Sequence, residues 1–366
     1  MFGVTITDLG GASAARDILH SLAAENETLP VVVRVVFDPI RQKNKQKFEY
    51  ELNEYRQQVE KLRDGINVCL LGTIADSFNM YPYLHEVPDP SWPDGYGNYE
   101  KWTRRLVDKM GALVDIWEVG NEVNGEWYGW EEKKYKKSGE QDDRQHAVMR
   151  VKRETMRNRI KHELSQAFKA VHDVRPQALR AITLLYNADR DNNKCTEFSE
   201  YKMNEWVGEY LTPEVRSNVD FVLLSYYENP QDCSEVTRDP EKLWDVLVSL
   251  RRQFAGDETV FGFGEISYKA TCYRNQEDEI SDKKRINNRT CQSGQREYVE
   301  RYYQTLDKEL SAIVKAKTPP ADVKEIKFVG GYFYWYFLQD IVLSNNDEAK
   351  KVSDALRAAR RTFRKE

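Results

Sequence analysis

Short apolar runs alternate with long amphipathic segments from one end of the chain to the other. The runs are Phe2–Thr7, Val31–Phe37, Ile66–Leu71, Val114–Val119, Ala181–Tyr186, Val219–Leu224, Thr259–Phe263 and Ile326–Phe333. They are continuously apolar rather than alternating, as in parallel strands covered on both faces. The intervening pattern predicts helices near Ser13–Ala24, Lys45–Leu62, Tyr99–Met110, Arg144–Val171, Phe198–Tyr210, Pro240–Phe254, Gln295–Val314 and Asp347–Arg361. Strict alternation of eight strands with eight helices predicts an α/β fold, a single closed (β/α)8 TIM barrel over residues 1–366. The competing architecture is a doubly wound open sheet. It would announce itself by a glycine-rich dinucleotide loop, and Asp8-Leu9-Gly10-Gly11 fits neither GxGxxG nor the Walker pattern.

The connections are unequal. Long segments follow the strands at Ile74–Asn98, Glu122–Asp143, Asn187–Glu197 and Ser267–Gly294, whereas the segments before strands are mostly brief. In a barrel these long loops gather at the C-terminal face, where ligands bind.

Composition narrows the function. The 366 residues suffice for one large barrel, and the net charge of -5 argues against a nucleic-acid surface. No apolar run approaches the length of a transmembrane segment. The N-terminus shows no basic stretch followed by an apolar one, so any signal peptide is absent from this sequence. The five cysteines form no CxxC and only five histidines are present, so neither a metal nor a cofactor is expected. Cys69 lies in an apolar run, while Cys195, Cys233, Cys272 and Cys291 lie in polar segments. Those four allow two disulfides, Cys272–Cys291 by local loop closure and Cys195–Cys233 by elimination, with free thiols the equal alternative. Pairing implies a secreted or periplasmic protein, and reduced thiols leave a cytoplasmic one open. The 21 Tyr, 14 Phe and 8 Trp, many in loops, suit the stacking of sugar rings as well as ordinary packing.

The chemistry concentrates at two strand ends. Asp115–Trp127 reads DIWEVGNEVNGEW and places Glu122 just past the fourth run. Val260–Tyr268 reads VFGFGEISY and places Glu265 just past the seventh. Across a barrel mouth the two carboxylates would face each other. Such a pair suits glycosidic cleavage, in which one group protonates the leaving oxygen while the other, ionised, attacks carbon or activates water. Taken singly, Glu122 fits a polar turn, and Glu265 fits a strand cap or an arginine partner.

With these residues in view, the chain resembles the clan A glycoside hydrolases, retaining (β/α)8 enzymes with Asn-Glu after strand four and a nucleophilic Glu after strand seven. Asn121-Glu122 and Glu265 match these positions. The resemblance extends to Leu224-Ser225-Tyr226-Tyr227 at strand six and Tyr334-Trp335 at strand eight. It implies that Glu122 is acid/base, that Glu265 is nucleophile, and that Asn121 donates to the sugar 2-hydroxyl. It further implies that Tyr226 or Tyr227 orients Glu265 and that Trp335 stacks under the sugar. Arg34, deep in the second run, needs a buried partner, and Glu265 is the candidate, with a purely structural ion pair as the alternative. Asp8, Asp76, Asn187, Trp127 and Trp130 are further candidates for substrate contact, and Trp92, Tyr96 and Trp102 for a wall built by the third loop. The chain departs from the clan pattern at Val123, where many members carry Pro, and at Ser225, where some carry His.

The expected activity is that of a retaining β-glycosidase acting on a β-linked oligo- or polysaccharide. The alternatives are a catalytically silent carbohydrate-binding barrel, or a lyase or aldolase on the same fold. A dead barrel is free to lose its carboxylates. An aldolase commonly needs a strand lysine at the ligand end, and Lys327 sits at the start of its run.

Overall fold

The structure is a computed structural model. It describes residues 2–37, 45–76, 99–124, 143–186, 203–228, 240–254, 256–268, 296–297, 299–300, 307–330, 333–334, 342 and 347–362. In chain order the elements are β1 (Gly3–Ile6), α1 (Ala12–Ala24), β2 (Val31–Val36), α2 (Lys45–Arg63), β3 (Val68–Thr73), α3 (Tyr99–Met110) and β4 (Ile116–Gly120). Then come α4 (Asp143–Val174), β5 (Leu179–Leu185), α5 (Met203–Tyr210), α6 (Pro213–Asn218), β6 (Phe221–Glu228), α7 (Pro240–Gln253) and β7 (Val260–Tyr268). The last are α8 (Asp307–Ala316), β8 (Lys327–Phe328), β9 (Phe333–Tyr334) and α9 (Asp347–Thr362). The short α6 was not expected. Its signal is Thr212-Pro213, in which the Thr212 hydroxyl accepts from the Val215 N–H and Pro213 opens the first turn.

All the ladders are parallel, in the order β6-β5-β4-β3-β2-β1-β9-β7-β8 with a further β6–β7 pairing. The expected closed barrel is corrected here. The regular wall is an open half-barrel that curves through 223° and leaves its edges 15 Å apart. The eighth unit is the cause. In place of one strand over Ile326–Phe333, the chain turns at Gly330, whose φ is 61°, and leaves two strands of two residues each. β8 pairs with β7, while β9 meets β1 at two positions and β7 at one. These short ladders link β7 to β1 across the open side without forming an even wall, and the longer β6–β7 ladder belongs to the regular wall.

The apolar residues form two layers. The larger lies between the convex face of the sheet and the helices, and includes Val33 and Val35 of β2, Trp117 of β4, Leu106 of α3 and Leu164 of α4. The smaller lies on the concave face and consists of Val32, Leu71, Ile116, Ala181 and Leu223, with Cys69 and Phe221 against it. No described helix is long and apolar enough to cross a membrane.

Candidate active site

Each residue of the concave apolar layer stands two positions before a buried polar one. Val32 precedes Arg34, Leu71 precedes Thr73, Ile116 precedes Glu118, Ala181 precedes Thr183, and Leu223 precedes Ser225. A strand repeats every two residues, so these polar side chains share the concave face, one level nearer the C-terminal ends. Thr5 pairs with Arg34 in register and Glu265 pairs with Ser225, so every strand from β1 to β7 contributes one buried polar residue. The result is a polar layer resting on an apolar plug.

Glu118 and Arg34 organise this layer. Arg34 Nε donates to Glu118 Oε2 at 2.7 Å and Nη2 donates to Oε1 at 2.9 Å. The Thr73 hydroxyl donates to Oε2 and the Thr183 hydroxyl to Oε1. Each Glu118 oxygen thus accepts two hydrogen bonds, which suits a buried carboxylate. Arg34 Nη1 lies 2.9 Å from Glu265 Oε1, with both side chains almost fully buried. One guanidinium is therefore shared by two carboxylates, and Glu265 is held by the cation without receiving all of its charge.

Both strands that lead to the candidate carboxylates are bulged. Along β7, Leu224 pairs with Phe263 and Ser225 with Glu265, so Gly264 is the extra residue. Strict alternation would turn Glu265 outward with Phe263, whereas the bulge turns it inward beside Ser225. Glycine is required at 264, since a Cβ there would lie 2.8 Å from Leu223 Cβ and 2.9 Å from Thr183 Oγ1. Along β4 the register shifts between Glu118 and Gly120, just before the Asn121-Glu122 turn. Glu122 has φ 45°, a left-handed conformation costly for a side chain with a Cβ.

The same serine touches both candidate carboxylates. The Ser225 hydroxyl is hydrogen-bonded to Glu122 Oε1 and lies 3.2 Å from Glu265 Oε2.

The turn that carries Glu122 is anchored on several sides. Asn121 Nδ2 donates to Asp76 Oδ1 at 3.1 Å. Its Oδ1 is buried with no hydrogen-bond partner among the described residues. Asn124 donates to the Leu185 carbonyl at 2.8 Å and accepts from the Leu185 N–H at 2.7 Å, latching the turn to the end of β5. Val123 is buried, and a Cβ on Gly120 would lie 2.5 Å from its Cγ1. From α3, the Tyr99 hydroxyl donates to the Val119 carbonyl and Trp102 Nε1 donates to the Ile74 carbonyl at 2.8 Å. Trp102, expected in a loop wall, is therefore a buried clamp on the end of β3.

Alternation puts Tyr226 on the face opposite Ser225, where its ring meets Tyr186 at 5.6 Å and Phe263 at 6.1 Å. Asp8 is exposed, and its Oδ1 accepts from the Gly10 N–H at 2.8 Å to cap a single 3₁₀ turn. The side chain of Tyr227 lies outside what is described, as do Trp92, Tyr96, Trp127, Trp130, Asn187, Trp335, Cys195, Cys233, Cys272 and Cys291. Sequence reasoning missed Glu118, Thr73, Thr183 and Ser225 as a group. Among the described residues no cluster of three or more His, Cys, Asp or Glu is placed to hold a metal.

No family profile and no curated protein matches the chain. Solved structures do resemble it. A family 1 β-glucosidase from Thermotoga maritima has a TM-score of 0.51 at 14% identity, over 90% of this chain and 78% of that one. The Ignisphaera aggregans GH53 catalytic domain gives 0.48 at 15%, over 93% and 85%. A GH10 structure from Paenibacillus barcinonensis gives 0.48 at 14%, over 91% and 83%. The T. maritima likeness is one of fold.

Proposed function

We propose that the chain is a retaining glycoside hydrolase acting on a β-linked oligo- or polysaccharide, with Glu122 as acid/base and Glu265 as nucleophile. The observation that carries this reading is the serine contact. Oxygens of Glu122 and Glu265 both lie within reach of the Ser225 hydroxyl, in keeping with the carboxyl separation of about 5–5.5 Å that retention needs. Inversion needs room for a water, about 6.5–9.5 Å. The fold shared with a β-glucosidase supports the β linkage.

In the first step Glu265 attacks the anomeric carbon. The glycosidic C–O bond breaks, and the Glu122 proton passes to the leaving oxygen. In the second, water attacks the same carbon, gives its proton to Glu122 and releases Glu265. Arg34 fixes Glu265 through Oε1, leaving Oε2 on the side of Ser225. Asn121, whose buried Oδ1 has no partner among the described residues, donates its second N–H to the sugar 2-hydroxyl beside the nucleophile. Tyr227 is assigned to orienting Glu265 and Trp335 to stacking under the cleaved sugar, and Asp76 acts through Asn121.

The test is turnover of a panel of aryl β-glycosides and β-linked polysaccharides by the protein and by Glu265→Ala. The expected result is a first-formed product that keeps the β configuration by NMR, with turnover lost in the variant and partly restored by azide. Turnover that survives the substitution removes Glu265 from its role. Binding without turnover would make the chain a silent carbohydrate-binding protein.

A further inference from the structure

We propose that Ser225 is a positioning residue that keeps the resting proton on Glu122 and the charge on Glu265, and that its hydroxyl changes partner midway through the reaction. A serine hydroxyl has one proton to donate and lone pairs that accept. Its oxygen meets Glu122 Oε1 on one side and Glu265 Oε2 on the other. It can donate to only one of them, so both contacts are hydrogen bonds only if the other carboxyl supplies its own proton. Arg34 decides which, because its Nη1 lies 2.9 Å from Glu265 Oε1 and favours the anion there. The resting order is therefore Glu122 O–H to Ser225 Oγ, and Ser225 O–H to Glu265 Oε2.

The second half of the proposal rests on the glycosidase reading. Once Glu265 forms its bond to the sugar and Glu122 has released its proton, the negative charge stands on Glu122. Rotation about the Ser225 Cβ–Oγ bond then turns the hydroxyl proton from Glu265 to Glu122. No proton passes through the serine. It donates to whichever carboxylate is charged. Further charged groups beside the pair are Glu118, across Arg34, and Asp76, reached through Asn121. The position is one at which the sequence departs from its resemblance, since some clan members carry His where Ser225 stands.

The hydrogen bond to Glu265 favours its anion, and the one from Glu122 favours its neutral form, so the serine pushes the two titrations apart. Ser225→Ala, which removes one buried oxygen, is checked for folding by its melting curve. It is expected to lower kcat about 10- to 100-fold, the worth of a hydrogen bond to a charged group, with little change in KM. The bell of kcat/KM against pH should narrow from both sides, and Ser225→Thr should restore its width. The carboxyl titrations are followed independently by 13C NMR in the free protein, where those of Glu122 and Glu265 should draw together in Ser225→Ala. Titrations unchanged from wild type overturn the assignment of Ser225, as do titrations in Ser225→Thr that match Ser225→Ala. A protein that turns over no β-glycoside overturns the enzymatic reading instead, and the NMR titration still decides the resting proton.

Discussion

Arg34 on β2 and Glu118 on β4 form a two-point fork inside the sheet, Nε to Oε2 at 2.7 Å and Nη2 to Oε1 at 2.9 Å, with neither side chain exposed. The fork aims the remaining guanidinium nitrogen at Glu265. Removing one partner strands the other charge in the interior. Glu118→Ala should therefore destabilise the protein by about 3–5 kcal/mol in a denaturant titration. Glu118→Gln keeps the shape and removes the charge. Arg34 then gives its whole charge to Glu265, and a more tightly held carboxylate is a weaker nucleophile. Steady-state kinetics should show kcat falling with KM little changed. Equal stability of wild type and Glu118→Ala would mean that the fork is not holding Arg34.

If Glu122 is the general acid, its value depends on the leaving group. Glu122→Gln should reduce kcat/KM about 10²–10⁴-fold on an alkyl or sugar leaving group, which needs the proton. A dinitrophenyl leaving group departs as a stable anion, so bond cleavage to it should be far less affected. Equal losses on both substrates would take Glu122 out of the acid role.

The bulge that presents Glu265 leaves no space beside it. Gly264→Ala sets a methyl 2.8 Å from Leu223 Cβ and 2.9 Å from Thr183 Oγ1. The strand must shift, at about 1–3 kcal/mol of stability. Because Glu265 is the next residue, activity should fall further than the melting temperature suggests. A folded Gly264→Ala protein with wild-type kcat would show that the bulge does not aim the carboxylate.

The alternation of apolar runs and helices was legible because parallel strands covered on both faces leave long uninterrupted stretches such as Val31–Val36. Glu122 and Glu265 are candidates because they follow such runs. The polar layer was less visible. A single Thr inside an apolar strand is ordinary β-former chemistry, so Thr73 and Thr183 carried no signal alone. Glu118 did carry one, a charged residue in mid-strand like Arg34, and the two should have been paired. The inward aim of Glu265 was hidden, since alternation along Val260–Glu265 turns it to the helices until Gly264 is counted as a bulge. The incomplete eighth unit was hidden too. Ile326–Phe333 reads as one apolar strand, and the positive φ at Gly330 falls between β8 and β9. Asn124, two residues past Glu122, is a side-chain latch on Leu185.

The cysteines divide into one half-buried thiol, Cys69, and four that lie outside the described residues. Burial and then Asp115 push the Cys69 thiol up to about 11, so little thiolate exists at neutral pH. Alkylation of the native protein at pH 8 should leave Cys69 untouched, and peptide mapping under non-reducing conditions should recover it as a free thiol. The same map tests the proposed Cys272–Cys291 and Cys195–Cys233 pairs, and with them the proposal of a secreted or periplasmic protein. Four free loop thiols in protein prepared under oxidising conditions would remove that proposal.

Glu163 on α4 gives the fold a pH dependence separate from catalysis. The residue is buried, its Oε2 has no hydrogen-bond partner among the described residues, and the Tyr99 N–H is its backbone donor. Desolvation raises its carboxyl above the ordinary 4.5, against the pull of His162, Arg159 and that N–H. Between 4.5 and the raised value the folded state holds more protons than the unfolded chain. The contribution of Glu163 to stability is therefore greatest below 4.5 and declines as pH rises through the raised value, above which the full cost of a buried charge remains. Glu163→Gln keeps an acceptor for Tyr99 and removes that cost. Its melting temperature should exceed wild type near neutral pH, and the difference should shrink as the pH falls through the raised value toward 4.5. A difference that stays constant across that range would assign the effect to packing instead of ionisation.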